Sequence, residues 1–196
     1  GVRWRRIGLP ERFATLWLGI AALAGIGEQI LRVTHHNSQL AAHLWFAPSG
    51  AVALWIAAAI AKDRRGGHLW RVIAMGYLGA IAILLVGAET PAEYSPYAGA
   101  FHGVVLLGVG GLSLTYRARR ARGSLWYDAG FLIAAGMMLI GGPTMFLALT
   151  SRAIGATDRE TVRALYAMRL VMALIGQCFM IRALLPMPRR SRELIV

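Results

Sequence analysis

The chain has little of what a disulfide-stabilised, metal-cluster or nucleotide-binding protein needs. It has a single cysteine, Cys178, in 196 residues, which excludes an intrachain disulfide and a four-cysteine metal site. It contains no His-Glu-x-x-His, no Gly-x-Ser-x-Gly and no P-loop, the motifs of zinc proteases, serine hydrolases and phosphate-binding NTPases. No reaction class is therefore indicated by motif, which favours a non-enzymatic protein and leaves an enzyme as the less favoured alternative.

Charged residues are scarce as well, at 15% of the chain against 57% hydrophobic residues. What remains is six apolar stretches, each about long enough to cross a hydrocarbon core ~30 Å thick as a helix. They cover residues 13–33, 40–61, 72–89, 98–116, 127–150 and 163–185. Such continuous runs exclude the alternating pattern of a membrane barrel. The sequence predicts an all-α, polytopic membrane protein, with residues 1–196 forming a single domain of six transmembrane helices arranged as three hairpins.

The basic residues predict the orientation of this bundle. Sixteen of the 21 lysines and arginines lie in or next to the N-terminal segment, the second loop, the fourth loop and the tail: Arg3, Arg5, Arg6, Arg12, Lys62, Arg64, Arg65, Arg71, Arg117, Arg119, Arg120, Arg122, Arg182, Arg189, Arg190 and Arg192. By the positive-inside rule both termini are cytoplasmic. The strong preference for arginine over lysine is typical of a high-GC bacterial genome, so the expected location is the bacterial cytoplasmic (inner) membrane.

The net charge of +12 bears on the partners of the chain. In a soluble protein it would suggest nucleic acid, but here it is mostly arginine that sets topology. We therefore expect no nucleic acid as a partner. The expected partners are the lipid bilayer and anionic lipids at the arginine-rich cytoplasmic face, worth ~1 kcal/mol per basic residue near the surface. Short loops and the lack of a soluble domain also favour protein partners or a homo-oligomer.

Small residues and prolines predict how the helices pack. Glycines let helix backbones approach closely in lipid, and the predicted packing positions are Gly19, Gly25, Gly76, Gly79, Gly108, Gly111, Gly136 and Gly176. Pro143 follows Gly141-Gly142 in the fifth span and is expected to kink or break that helix. A broken helix of this kind lines the cavity of some transporters. Cys178 is expected to be a buried small apolar residue.

Two ionisable residues inside apolar spans are the first candidate site. Glu28 lies in span one and Arg169 in span six, both ~7–9 Å below the outer boundary at 1.5 Å per residue. They are placed to pair across the bundle, although Arg32, one turn from Glu28, competes for the same carboxylate. Intramembrane charges usually face the bundle interior and mark function; the alternative is a structural pair that fixes helix rotation. Gln177, near the midplane, is a candidate to bridge helices through its amide.

The histidines are the second candidate site, because His36, His43 and His102 all fall on the predicted outer side. The second outer loop adds Glu89 and Glu93. Imidazole and carboxylate ligands suit zinc, copper or iron, so these residues are a candidate set for haem or a transition metal. The alternative is that the histidines hydrogen-bond headgroups or loops at the interface.

Together these residues predict a polar His/Glu/Arg cavity at the outer leaflet, and three function classes remain open. We favour a non-enzymatic accessory or binding subunit of a larger membrane complex. The first alternative is a small-molecule transporter or channel that uses Glu28 and Arg169. The second is a membrane redox enzyme that holds haem or a metal with the outer histidines.

Overall fold

The computed structural model describes residues 8–34, 39–61, 64–87, 96–121, 123–154 and 159–185. These ranges contain the helices α1 (Leu9–Val33), α2 (Gln39–Ala61), α3 (Arg64–Gly87), α4 (Pro96–Arg120), α5 (Ala129–Ile154) and α6 (Arg159–Leu184). A short 3-10 helix, Leu125–Tyr127, precedes α5. No strand occurs in the described ranges, so the prediction of an all-helical chain is confirmed for this part.

Five of the helices are long and apolar enough to cross a membrane. They are α1 over Leu9–Leu31, α3 over His68–Gly87, α4 over Tyr97–Arg120, α5 over Ala129–Thr150 and α6 over Glu160–Leu184. The apolar part of α2 is shorter, at Leu44–Ile60, which is ~25 Å of helix at 1.5 Å per residue. The chain is therefore a multi-pass membrane protein by its helices, while a crossing by α2 stays a prediction.

Helix α2 lies in the interior of the helix assembly. It packs against α1, α3 and α4, and its side chains Phe46, Leu54, Ile56 and Ile60 are at most 1% exposed. A helix that is apolar on every side is suited to such a buried position. The shortest apolar segment is therefore one that packs against three other helices.

Close backbone contacts join α4, α5 and α6. A methyl group added at Gly103 would lie 2.6 Å from the backbone nitrogen of Met145, and one at Gly141 would lie 2.9 Å from the carbonyl oxygen of Gly103. Gly136 and Gly176 face each other, since a methyl group at Gly136 would lie 2.6 Å from the carbonyl oxygen of Gly176. These approaches need glycine, as is usual for close helix pairs in membranes.

The predicted packing glycines are thus confirmed in only two places, Gly136 and Gly176. The other six are wrong as packing positions within this chain: Gly19, Gly25, Gly76, Gly79, Gly108 and Gly111 have no atom of the neighbouring described helices within 4 Å of an added methyl group. Gly103 and Gly141 carry the α4–α5 contact instead. A glycine in an apolar run identifies a place where helices can approach, but not the face of the helix that is covered.

Two further expectations are wrong, the first of them in part. Helix α5 continues without interruption from Ala129 to Ile154, so Pro143 does not break it, while a kink at Pro143 stays a prediction. Proline removes one backbone donor, but a transmembrane helix tolerates this when neighbouring groups satisfy the freed carbonyl. Cys178 is exposed rather than buried, because α6 turns Gly176 and Met180 inward and Cys178 lies on another face.

Candidate functional site

A small group of polar side chains lies inside the otherwise apolar assembly. Ser49 of α2, Tyr77 of α3 and His102 of α4 are at most 3% exposed. The hydroxyls of Ser49 and Tyr77 meet at the backbone carbonyl of Phe46 in α2, and His102 contacts both hydroxyls through its ring nitrogens. We call Ser49, Tyr77, His102 and the Phe46 carbonyl the His102 network. Buried polar groups of this kind are stable in a bundle only when they bond one another.

The donor and acceptor roles in the His102 network follow from the single hydrogen of the Tyr77 hydroxyl. The Tyr77 hydroxyl donates its single hydrogen to the Phe46 carbonyl at 2.7 Å. Its oxygen, 2.9 Å from His102 Nδ1, must then accept from Nδ1–H. In the neutral imidazole this leaves Nε2 as an acceptor. The Ser49 hydroxyl lies 3.4 Å from Nε2 and 3.3 Å from the Phe46 carbonyl oxygen, so it has two acceptors for one hydrogen.

Aromatic side chains and one glycine hold the His102 network in place. The Phe46 ring lies 5.2 Å from the His102 ring, and Phe101 stacks on Tyr77 at 5.6 Å between centroids. The indole Nε1 of Trp17 in α1 donates to the Ser49 carbonyl at 3.1 Å. A methyl group at Gly50 would lie 2.2 Å from Cζ of Tyr77, so only glycine admits the phenol there. The network therefore ties together α1, α2, α3 and α4.

A cationic side chain lies beside this network, on α6. Arg169 is half-buried, and its Nε donates to Oγ1 of Thr144 in α5 at 3.4 Å. Thr144 is 2% exposed and gives its own hydrogen to the Ile140 carbonyl at 2.7 Å. Thr144 precedes Met145, whose backbone nitrogen lies against Gly103, the residue after His102. Because the bond from Arg169 to Thr144 is to a neutral hydroxyl, this contact does not neutralise the arginine.

Four of these side chains lie at a similar depth in the bundle, and His102 lies somewhat nearer the end of its helix. Ser49, Tyr77, Thr144 and Arg169 each lie ten residues from the helix end that the sequence assigns to the outer side, which is ~15 Å at 1.5 Å per residue. His102 lies six residues from the first residue of α4. The His102 network and the Arg169–Thr144 pair therefore form a polar layer near the middle of the helices.

The predicted metal or haem ligands are only partly described. His36, Glu89 and Glu93 lie outside the described residues, and so does the side chain of His43. Among the described residues, no group of three His, Cys, Asp or Glu side chains has the geometry of a metal site. His102, which is 1% exposed, has a polar neighbour at each ring nitrogen. To bind iron or a metal ion it would have to give up one of these contacts, and the ligand set stays a prediction.

The charged and polar residues predicted to line the outer cavity are also only partly described. Glu28 and Gln177 are half-buried on α1 and α6, and these two helices contact each other. The side chain of Arg32 lies outside the described set. The pairing of Glu28 with Arg169 stays a prediction, as does the bridging role of Gln177.

Ser49, Tyr77 and Thr144 were not among the predicted site residues. Two of them carry a common signal in the sequence, since Ser49 follows Pro48 and Thr144 follows Pro143. Both prolines lie inside helices, and both hydroxyls bond a carbonyl of the preceding turn. A hydroxyl residue next to a proline within an apolar run therefore identifies a polar position in this bundle.

Comparison of the chain with protein-family models, with curated proteins and with solved structures finds no match.

Proposed function

We propose that the chain is a non-enzymatic binding subunit of a membrane assembly, and that the polar layer around Arg169 receives an anionic group of its partner. The observation that supports this best is the position of Arg169 within a candidate membrane span. Arginine inside a span is costly, faces the interior or a polar cavity and is retained where it has a function. An acidic side chain of a partner helix, or the carboxylate of a small molecule, supplies the charge that Arg169 attracts.

The neighbours of Arg169 support a binding role more than a catalytic one. Thr144 has donated its hydrogen to Ile140, so its oxygen serves to orient the guanidinium. His102 is enclosed by Phe46, Tyr77 and Ser49 and is nearly inaccessible. An enclosed imidazole positions helices, whereas the half-buried guanidinium keeps donors for a ligand.

The test is purification of the full chain in mild detergent, with mass spectrometry and an absorption spectrum on the same peak. We expect the wild-type peak to carry a bound protein or small acid, and Arg169→Gln to lose it. Arg163→Gln is the matched control, because Arg163 lies on the same helix and is exposed. A peak without any bound molecule, unchanged in Arg169→Gln, would contradict the proposal, and a haem band in the spectrum would favour the redox alternative.

Transport is the second candidate, favoured by the two intramembrane charges Glu28 and Arg169. Ionisable residues in spans also occur along substrate and proton pathways. The continuous helix through Pro143 removes the broken-helix argument for it. Uptake of a panel of labelled carboxylic acids into proteoliposomes tests this role. A flux that Glu28→Gln abolishes, with the fold retained, would replace the subunit proposal.

The proposal places the protein in the cytoplasmic (inner) membrane of a bacterium, with both termini in the cytoplasm. The arginine-rich segments support this orientation through the positive-inside rule. Anionic lipids at that face, and further copies of the chain or other subunits within the membrane, complete the proposed set of partners. The polar layer then lies toward the outer half of the bilayer.

A further inference from the structure

A second polar site lies at the opposite end of the helices, where α4 ends and α5 begins. It is a cavity of about 150 Å³ lined by Ile60, Tyr116, Arg117, Arg120 and Asp128. We call it the Arg117 cavity. One water needs only ~10–15 Å³ by this measure, so the cavity has room for a tetrahedral anion.

Positive charge exceeds negative charge in the Arg117 cavity. Arg117 and Arg120 bring two guanidinium groups and Asp128 brings one carboxylate. Both carboxylate oxygens are already engaged: Oδ1 accepts from the backbone N–H of Phe131 at 2.7 Å, and Oδ2 accepts from Arg117 at 3.4 Å. The N-terminus of α5 adds partial positive charge at the same place.

The two guanidinium groups are held in place but keep unused donors. Arg120 lies 4.2 Å above the centre of the Tyr116 ring and donates to the Tyr116 hydroxyl. Arg117 makes one long bond to Asp128, and its Nε is buried without a hydrogen-bond partner among the described residues. Arginine offers five N–H donors in a planar fork that matches the oxygens of phosphate. An anion in the cavity would accept several of them at once.

The Arg117 guanidinium lies against Gly130, in the first turn of α5. A methyl group at Gly130 would lie 2.6 Å from Nε and 2.8 Å from Cζ of Arg117. Glycine therefore leaves the space in which the guanidinium lies against the first turn of α5, and a larger residue would push this flexible side chain aside. Trp126 is largely exposed beside the start of that helix, in keeping with the aromatic residues found where membranes meet water.

From this geometry we propose that the Arg117 cavity binds a phosphate group at the membrane–water boundary, held by Arg117 and Arg120. The phosphate of a lipid headgroup and inorganic phosphate share this chemistry. The lipid source follows from the ends of the spans, since the candidate span in α4 ends at Arg120 and that in α5 begins at Ala129. The inference rests on the proposed function in treating the chain as a membrane protein with anionic lipids at its arginine-rich face, and it assigns one such contact to a defined cavity.

The test uses the full chain in detergent and two probes. Native mass spectrometry measures binding of phosphatidylglycerol against phosphatidylcholine, and thermal unfolding with added inorganic phosphate against chloride measures the free ion. We expect Arg117→Gln and Arg120→Gln each to weaken phosphatidylglycerol binding about tenfold, the loss typical of a charge-assisted hydrogen bond. Arg119→Gln is the matched control, because it removes the same charge from an exposed position on α4 outside the cavity.

Each outcome either supports or overturns phosphate binding in the Arg117 cavity. Binding that falls in Arg120→Gln and persists in Arg119→Gln supports the site, and competition by inorganic phosphate would add the free ion as a ligand. An equal loss in all three variants means diffuse attraction to basic residues and overturns the proposal, as does the absence of binding by either probe. If Arg117→Gln does not fold, Arg120→Gln decides, because Arg120 is exposed.

The same experiment separates this inference from the proposed function. Arg169→Gln lies in the polar layer and should leave phosphatidylglycerol binding unchanged. Arg120→Gln should leave the partner of the polar layer bound.

Discussion

Each hydroxyl in the His102 network has one hydrogen to donate, and this determines which groups act as donors and which as acceptors. The Tyr77 hydroxyl has one hydrogen and directs it to Phe46, so His102 Nδ1 must be the donor toward Tyr77. The Ser49 hydroxyl faces the other ring nitrogen. A substitution that changes the number of donors or acceptors leaves one of these groups without a partner in an apolar interior. The cost of removing that group from water is then not offset by a hydrogen bond.

Tyr77→Phe is expected to destabilise the protein by about 1–2 kcal/mol, the range for interhelical hydrogen bonds in membranes. The substitution removes the donor to the Phe46 carbonyl and the acceptor for His102 Nδ1–H, while it keeps the stacking on Phe101. The measurement is unfolding in mixed micelles followed by tryptophan fluorescence. Tyr127→Phe, at an exposed tyrosine, is the control, and an equal small effect in both would show that the network contributes nothing.

The sequence predicts only some of these residues, for a physical reason. A charged or ionisable residue in an apolar run, such as Arg169 or His102, is costly in lipid and so stands out. Ser49, Tyr77 and Thr144 cost less, and an apolar run does not show which way they face. Their meeting with His102 and Arg169 depends on the rotation of each helix about its axis, which side-chain packing between helices determines.

At the scale of the element, the number and approximate positions of the helices could be predicted and their covered faces could not. The apolar runs identify α1 to α6 because the membrane sets the required length. Glycine, however, permits close approach without requiring it. Gly136 and Gly176 meet across α5 and α6, whereas Gly76 and Gly79 have no described neighbour within contact distance.

Gly103→Ala is expected to destabilise the chain by about 1–3 kcal/mol, the usual cost of overpacking. The added methyl group would lie 2.6 Å from the Met145 nitrogen and 2.8 Å from the Gly141 oxygen, both backbone atoms. Gly108→Ala on the same helix has open space and should be neutral or stabilise by up to about 1 kcal/mol through helix propensity. Thermal unfolding of both variants checks this, and equal values would contradict the α4–α5 contact.

At the scale of the whole molecule, α2 determines the topology. The other helices have the length and hydropathy of membrane spans, and α2 has a shorter apolar part. If α2 crosses the membrane, as the basic segments predict, the chain crosses six times and both termini lie on the same side. If α2 does not cross, the termini lie on opposite sides.

We expect both termini to be cytoplasmic. The measurement uses alkaline phosphatase, which is active only outside the cytoplasm, and green fluorescent protein, which fluoresces inside, fused in turn to each end. Fluorescence at both ends and no phosphatase activity confirm six crossings. Phosphatase activity at one end alone would show that α2 does not span, and activity at both would reverse the predicted orientation.

The position of α2 among other helices also means that α2 and the lipid-facing helices α1 and α6 should respond differently to bilayer thickness. Lipid acyl chains touch mainly the outer helices, since only 11% of the apolar windows of α1 and α6 is buried. Shorter or longer acyl chains are accommodated by helix tilt or by local deformation of the bilayer, at a fraction of a kcal/mol per Å of mismatch. α2 contacts chiefly other helices, so its length does not have to match the lipid. A change of acyl-chain length should therefore tilt α1 and α6 while Ser49 and its neighbours keep their depth.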